Sequence, residues 1–321
     1  MEIERSIQPI LLDHQQLLAL VRKAFPHCQK IDGWKILSGG ALNTTYQFQI
    51  GPDLFVISLY ARDRSHCKTE KAIHALIDSR VSTTKLIYAD ESHEPWAFSI
   101  FEFCCGVHIS EVSNEHKVSL SFDLGRMLSS IHSFKFPEAG LFGDGIAIGH
   151  SFKSGSSPYL EETYSVLSKN KDVRSRLGER LTDEALIFIQ KNKDFFPIVK
   201  ENNVCLTHSD FKPVNLLYQP SGKIFVLDWE FAHAGIGILD FAILLRHRKQ
   251  FPLDINALKN GYTSSGGALP IEWLRSALIT DFVNIATLLE HPAERPQLFH
   301  QLRDTIQTTI NHWESAEICI K

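Results

Sequence analysis

The segment from Cys205 to Arg246 constrains this chain more than any other. It reads C-L-T-H-S-D-F-K-P-V-N-L-L-Y-Q-P-S-G-K-I-F-V-L-D-W-E-F-A-H-A-G-I-G-I-L-D-F-A-I-L-L-R. His208, Asp210 and Asn215 form an H-x-D-x-x-x-x-N pattern, and Asp228 follows at the end of an apolar run. An Asp and an Asn five apart on a loop can face one small volume. The run Ile224 to Leu227 predicts a short strand that delivers Asp228 to the same place. Phosphoryl transfer from a nucleotide to a hydroxyl uses that order. One carboxylate takes the proton of the attacking hydroxyl, while an amide oxygen and a second carboxylate hold Mg²⁺ on the phosphates. Asp and Asn are also ordinary turn formers, so it is the ordered set that points to this chemistry. Asp240, in G-I-L-D-F-A, is expected to cap a helix running on through Leu245.

H-S-D-F-K-P-V-N-L-L followed by V-L-D-W-E-F-A-H-A-G resembles the aminoglycoside phosphotransferase and choline kinase-like family. The similarity extends from about Ile36 to about Leu289 and includes a late G-Y-x-x-x-G-G-x-L-P segment from Gly261 to Pro270. The resemblance implies that Asp210 is the catalytic base, that Asn215 and Asp228 bind Mg²⁺, and that His208 props the loop. It also implies a protein-kinase-like α+β fold. Residues 1–103 would form a small nucleotide-binding lobe of antiparallel sheet, and residues 104–321 a larger, mainly helical catalytic and acceptor-binding lobe.

The N-terminal third fits that division. Helical spacing of leucines over residues 9–25 predicts an opening helix. Trp34 to Leu37, Tyr46 to Ile50 and Leu54 to Ile57 then read as successive strands. Ser38, Gly39 and Gly40 open the first turn, where glycines let backbone N–H groups approach a polyphosphate. A plain hairpin would look the same locally. The third strand departs from the family, whose members carry a Lys or Arg that neutralises nucleotide phosphates and pairs with a helix Glu. Ser58 stands at that position, while Glu70, on a helix of about residues 65–79, matches the partner. Arg62 or Lys68 swinging in, backbone and Mg²⁺ alone, or a disabled kinase are the three ways to read that gap.

Pro95 to Phe103 reads as the last strand of the small sheet and leads into Cys104-Cys105-Gly106, an interlobe hinge. By resemblance, the backbone of Glu102 and Cys104 contacts the nucleotide base. Ser121 to His132 predicts a helix ending in a packing histidine. Residues 137–158 have the most linker-like composition, and the rest is helical.

With 321 residues and 44% hydrophobic content the chain can bury a sizeable core. A net charge of −4 argues against a nucleic-acid or anionic-membrane surface. No run approaches the ~20 apolar residues of a membrane span, and the first residues lack a signal-peptide pattern. Six cysteines without C-x-x-C spacing, with Cys104 and Cys105 read as buried thiols, suit a reduced, cytoplasmic protein. The expected activity is ATP- and Mg²⁺-dependent phosphorylation of a small-molecule hydroxyl by a monomer or homodimer. The alternative is a nucleotide-binding pseudokinase acting as an interaction module. An aminoglycoside acceptor would need carboxylates such as Glu272, Asp281 and Glu290, and a choline-like one an aromatic cage from Trp273, Tyr262 and Trp313. Other metabolites or macrolides are equally admissible.

Overall fold

Asp13 sets the start of the first helix. Its carboxylate accepts from the Gln16 N–H at 2.8 Å while the Gln16 side chain accepts from the Asp13 N–H at 2.9 Å, a reciprocal capping box. In the computed structural model, which describes residues 7–37, 42–77, 80–219 and 221–315, this helix is α1 (His14–Ala24). It buries Leu17, Leu20 and Val21 with Phe55, Ile57 and Leu59 of the first sheet.

That sheet is antiparallel and comprises β1 (Trp34–Ile36), β2 (Thr44–Ile50), β3 (Asp53–Tyr60), β4 (Leu86–Asp90) and β5 (Ala97–Glu102), in the order β1-β2-β3-β5-β4. Because strand side chains alternate, the core positions Phe55, Ile57 and Leu59 leave Ser58 and Tyr60 on the opposite face. There α2 (Ser65–Ile77) crosses. β4 has no counterpart in the strands read from the sequence. Every one of its residues is half-buried, so it shows no apolar alternation to read.

The remainder is mainly helical. In order it contains β6 (Val107–His108), α3 (Lys117–His132), β7 (Gly140–Phe142), β8 (Ile148–Ser151), α4 (Pro158–Lys169), α5 (Lys171–Leu177) and α6 (Glu179–Lys191). There follow β9 (Val204–Thr207), β10 (Leu216–Tyr218), β11 (Ile224–Val226), β12 (His233–Ile236), α7 (Ile238–Arg246), α8 (Ile255–Ser264), α9 (Trp273–Glu290) and α10 (Pro296–Asn311). Two small sheets, β11-β10-β6 and β8-β7-β12-β9, lie within it. The stretch 137–158 is therefore not a plain linker. It folds as the hairpin β7–β8, joined to β12 through Ala234 and Gly140.

One large core contains Trp229 and Phe241 together with Ile73 and Ile77 of α2, so α2 is packed against the helical part as well as its own sheet. The α3–α8 crossing is closer than side chains permit. A Cβ on Gly125 would lie 2.1 Å from the Leu258 carbonyl oxygen, and one on Gly261 1.9 Å from that of Phe122. Glycine is required on both helices there. Cys104 is half-buried and Cys105 exposed, contrary to the buried thiols expected, because both follow the end of β5 in an irregular segment. The five described cysteines are free. No helix among the described residues is long and apolar enough to cross a membrane.

Candidate active site

Residues 208–215 connect β9 to β10, and residues 227–232 connect β11 to β12. The β10–β11 register, Leu216 opposite Val226, sets the ends of the two loops side by side. The Leu227 N–H then donates to the Asn215 carbonyl at 2.9 Å. His208 fastens them a second time: its Nε2 donates to the Leu227 carbonyl at 2.9 Å and its Nδ1 accepts the Asp210 N–H at 3.2 Å. Burial, ahead of the opposing pull of Asp240 and Asp210, lowers the imidazole's pKa, which suits the neutral tautomer those two bonds require.

Asp240 lies in the first turn of α7 but does not cap it; Gly237 holds the cap position. Its carboxylate instead accepts the backbone N–H groups of His208 at 2.9 Å and Ser209 at 2.7 Å, and meets His132 Nε2 at 3.1 Å. Burial pushes this carboxyl up, but the hydrogen bond and charge of His132, with His208, bring it below its ordinary value. Asp240 is thus the post under the loop, and His132 packs behind it, bonded in turn to the Tyr262 hydroxyl at 3.0 Å.

On the loop, Asp210 Oδ2 accepts from Asn215 Nδ2 at 2.9 Å and from Lys212 Nζ at 2.8 Å. Asn215 Nδ2 also donates to the Asp210 carbonyl at 3.0 Å, so this network turns the amide oxygen away from Asp210. Burial opposes the Lys212 charge, but Asp210 and Asp228 outweigh it and raise the ammonium pKa. Ser209 and Asp228 are the two non-glycine residues with left-handed backbone among the described residues, each with φ 64°. Such a conformation costs about 1–2 kcal/mol per residue. It is held at Ser209 by Asp240 and by a 2.8 Å bond between Ser209 Oγ and His233 Nδ1.

The Asp228 carboxylate makes no hydrogen bond or ion pair among the described residues. Desolvation by its surroundings, then repulsion from Glu230, Asp210 and Glu70, raises its pKa well above the ordinary value, with Lys212 opposing. Water still reaches the side chain, so the repulsion is what a cation would relieve. Glu230 is buried and accepts from Asn43 Nδ2 at 2.7 Å, with His66 Nδ1 at 3.1 Å. It therefore joins the start of β2, α2 and the Asp228 loop. No group of three or more His, Cys, Asp or Glu among the described residues is arranged to hold a metal ion. The oxygens of Asn215 and Asp228 suit a hard cation that keeps water and phosphate as its other ligands.

Ser58 lies opposite Thr45 and Ser99 in its sheet, and its hydroxyl makes no hydrogen bond among the described residues. Glu70 is not left without a partner. The Tyr60 hydroxyl donates to one carboxylate oxygen and the Trp229 N–H to the other at 3.2 Å. Burial, then the charge of Glu230, pushes Glu70 up to about 7 against these bonds. Lys68 does not turn toward this site; it pairs with Asp144, and Arg62 is exposed. Glu102 ends β5 and pairs with Lys85 at 2.8 Å. Cys104 follows in the irregular segment, where Gln219 Nε2 donates to the Cys105 carbonyl at 2.9 Å. Ser38, Gly39 and Gly40 lie outside the described residues.

The structure thus brings Asp210, His208, Asn215, Asp228 and Glu70 into one neighbourhood, and adds Lys212, Tyr60, His66 and Asn43, which the sequence reading did not single out. Lys212 stands two residues past Asp210, where a tight turn, its N–H donating to the Asp210 carbonyl at 2.8 Å, brings the two together. Tyr60 had a legible signal, two residues past Ser58 on one strand face. Neither proposed acceptor site is assembled. Asp281 is buried against Arg246, Glu272 meets Arg275 and Glu290 meets Asn170. Trp273 and Tyr262 pack on Phe241, and Trp313 packs on Phe188 and Phe195. All three aromatics are core.

Residues 33–275 match the model of a phosphotransferase enzyme family, APH. A comparison with curated protein sequences returns no match. Among solved structures, the chain is similar to a thermostable mutant of aminoglycoside phosphotransferase APH(4)-Ia in complex with ADP and hygromycin B. The TM-score is 0.67 at 12% identity, covering 91% of this chain and 97% of that one. It is similar also to spectinomycin phosphotransferase APH(9)-Ia with ADP and spectinomycin, with a TM-score of 0.62 at 16% identity and 98% of each chain covered. Amicoumacin kinase hAmiN, in complex with AMP-PNP, Ca²⁺ and Ami, gives 0.58 at 14% identity over 93% of this chain and 96% of that one. With the kinase-like α+β fold these structures share, and with the family model matched over most of its length, the chain belongs to the phosphotransferase enzyme family.

Proposed function

We propose that the chain moves the γ-phosphoryl group of ATP to a hydroxyl of a small molecule, with Mg²⁺ and with Asp210 as base. One observation carries the reading: Asn215 clamps Asp210 Oδ2 through its side-chain nitrogen, while its backbone carbonyl accepts the N–H of Leu227, the residue before Asp228. A base and two metal-seeking oxygens are thereby fixed on one small frame. Asp210 Oδ1 is left to accept the acceptor's proton as its oxygen bonds to the γ-phosphorus. The bond from that phosphorus to the bridging oxygen breaks, and ADP leaves. Asn215 and Asp228 would hold Mg²⁺, which supplies charge neutralisation at the phosphates. Positioning and electrostatics account for most of the acceleration in such reactions.

In this reading the nucleotide lies between lobes formed by residues 1–103 and 104–321. The backbone of Glu102 and Cys104 meets the base, and Ser38 to Gly40 cover the phosphates. ADP and AMP-PNP in the solved complexes named above support nucleotide use. We read the setting as reducing and cytoplasmic, in keeping with the five free cysteines among the described residues, and the protein as a monomer or homodimer. A second reading, a nucleotide-binding pseudokinase, draws on Ser58 and on the neutral Tyr60 partner of Glu70. Acceptor-dependent ADP formation with Mg²⁺-ATP separates the two. Turnover that falls about 10²-fold or more in Asp210→Asn supports the enzyme. Nucleotide binding without turnover in any acceptor panel supports the pseudokinase.

A further inference from the structure

We propose that Glu230 is a positioning residue, a latch that ties the segment presenting Asp228 to Asn43 at the start of β2 and so couples nucleotide binding to the placing of Asp228. This rests on the phosphotransferase reading and adds a residue to the same site.

Three consecutive residues after Asp228 are gripped from the side of α2 and the first sheet. The Trp229 N–H donates to Glu70 at 3.2 Å, and its indole Nε1 donates to Thr83 Oγ1 at 3.2 Å. Glu230 Oε2 accepts from Asn43 Nδ2 at 2.7 Å and from His66 Nδ1 at 3.1 Å. The Phe231 ring meets the His66 ring edge-on, with 5.6 Å between centroids. His66 and Glu70 stand one turn apart on α2, and Asn43 immediately precedes β2. Asn43 also follows Gly40 by three residues in the sequence. Glu230 therefore joins α2 and the segment leading from Ser38–Gly40 into β2 to the backbone that carries Asp228.

Both Glu230 and Asn43 are buried. A buried carboxylate is costly unless it is hydrogen-bonded, so these bonds are more than optional surface contacts. Asp228 itself has left-handed backbone, φ 64°, a conformation that persists where the surroundings over-determine it. Before it, the Leu227 N–H is fixed to the Asn215 carbonyl. After it, Trp229 and Glu230 supply the second hold. Contacts of phosphate with the β2 side and of a cation with Asp228 then reinforce each other through one carboxylate, and such a coupling is reciprocal.

The test is the affinity of the full-length protein for Mg²⁺-AMP-PNP by calorimetry, with the unfolding midpoint of the nucleotide-free protein measured beside it. Asn43→Asp sets carboxylate against carboxylate and should weaken binding about tenfold or more, as for a lost charge-assisted hydrogen bond. Glu230→Gln keeps an acceptor for Asn43 and should weaken it less. Combining the two exchanges donor and acceptor, and the new amide still offers its oxygen to His66. Affinity in the double variant should return to within about threefold of wild type, which supports the latch. A double variant no better than Asn43→Asp alone would mean that Glu230 serves by its charge, as a cation ligand, and overturns the latch. Equal affinities in all four proteins, with only the midpoint moved, reduce the contact to a structural one and overturn it as well. Should Asn43→Asp not fold, Asn43→Ala carries the test: its loss of affinity should not grow when Glu230→Gln is added, and additive losses overturn the latch. In each of these cases nucleotide still binds the wild type and the phosphotransferase reading stands. A wild type that binds no nucleotide overturns that reading, and the latch with it.

Discussion

The Tyr60 hydroxyl donates its hydrogen bond to the Glu70 carboxylate, two residues along β3 from Ser58, where a strand cation is expected. A neutral donor thus stands in for the charge that usually meets this helix carboxylate. The other Glu70 oxygen takes the Trp229 N–H, so α2 is still bound to the segment that presents Asp228. Geometry is kept and charge is not.

The pair predicts an unusual pH dependence of stability. Glu70 sits at about 7 when folded, against 4.5 for an ordinary glutamate. The folded state therefore holds a proton that the unfolded chain has lost. Stability from this group is full below pH ~4.5 and falls as pH rises to about 7, by about 3 kcal/mol in all. Chemical denaturation without Mg²⁺ at pH 5 and pH 8 should show that loss in the wild type and much less of it in Glu70→Gln. Tyr60→Phe removes a bond to the ionised form, so its cost of about 1–3 kcal/mol should be larger at pH 8 than at pH 5. Equal costs at both pH values would mean that Glu70 does not titrate there.

Ser58→Lys would place an ammonium on the strand face that carries Tyr60. It should compete with the Tyr60 hydroxyl for Glu70 and bring that carboxyl back toward its ordinary value. ATP affinity measured by calorimetry with Mg²⁺ should rise several-fold, as expected for one added charge-assisted contact. An unchanged affinity would place the phosphates out of reach of position 58.

Asp228 gives the site a second, opposite pH response. Its surroundings, and then repulsion from Glu230, Asp210 and Glu70, raise its pKa, so a cation competes there with a proton. Mg²⁺ affinity should therefore increase with pH, about tenfold per unit while the proton remains on. Asp228→Asn should weaken Mg²⁺ binding and abolish its pH dependence. A variant that keeps the wild-type profile would remove Asp228 from the metal.

The α3–α8 crossing should tolerate no side chain at its two glycines. Gly125→Ala and Gly261→Ala each force a Cβ within about 2 Å of a backbone carbonyl oxygen. Losses of about 3 kcal/mol or more are expected for either, read as a lower denaturation midpoint. Because α8 also carries Tyr262, whose hydroxyl meets His132 behind Asp240, turnover should fall along with stability. A mild loss in either variant would mean that the helices separate cheaply.

What the sequence determined by itself was local. The order of His208, Asp210, Asn215 and Asp228, the amphipathic α1 and α2, and the alternation in β2 and β3 can be read directly, because each depends on neighbours within a few residues. β4 could not be read, since its half-buried residues carry no alternation. Asp240 was legible as a helix-start aspartate, but its service to the His208 and Ser209 amides needed the fold to bring positions some thirty residues apart together. The same holds for Tyr60 with Glu70, Arg246 with Asp281, and Glu230 with Asn43 and His66. Which groups a carboxylate meets, and hence whether it stays ionised, depends on through-space distance and burial. Sequence spacing leaves both open, and only tertiary packing decided them.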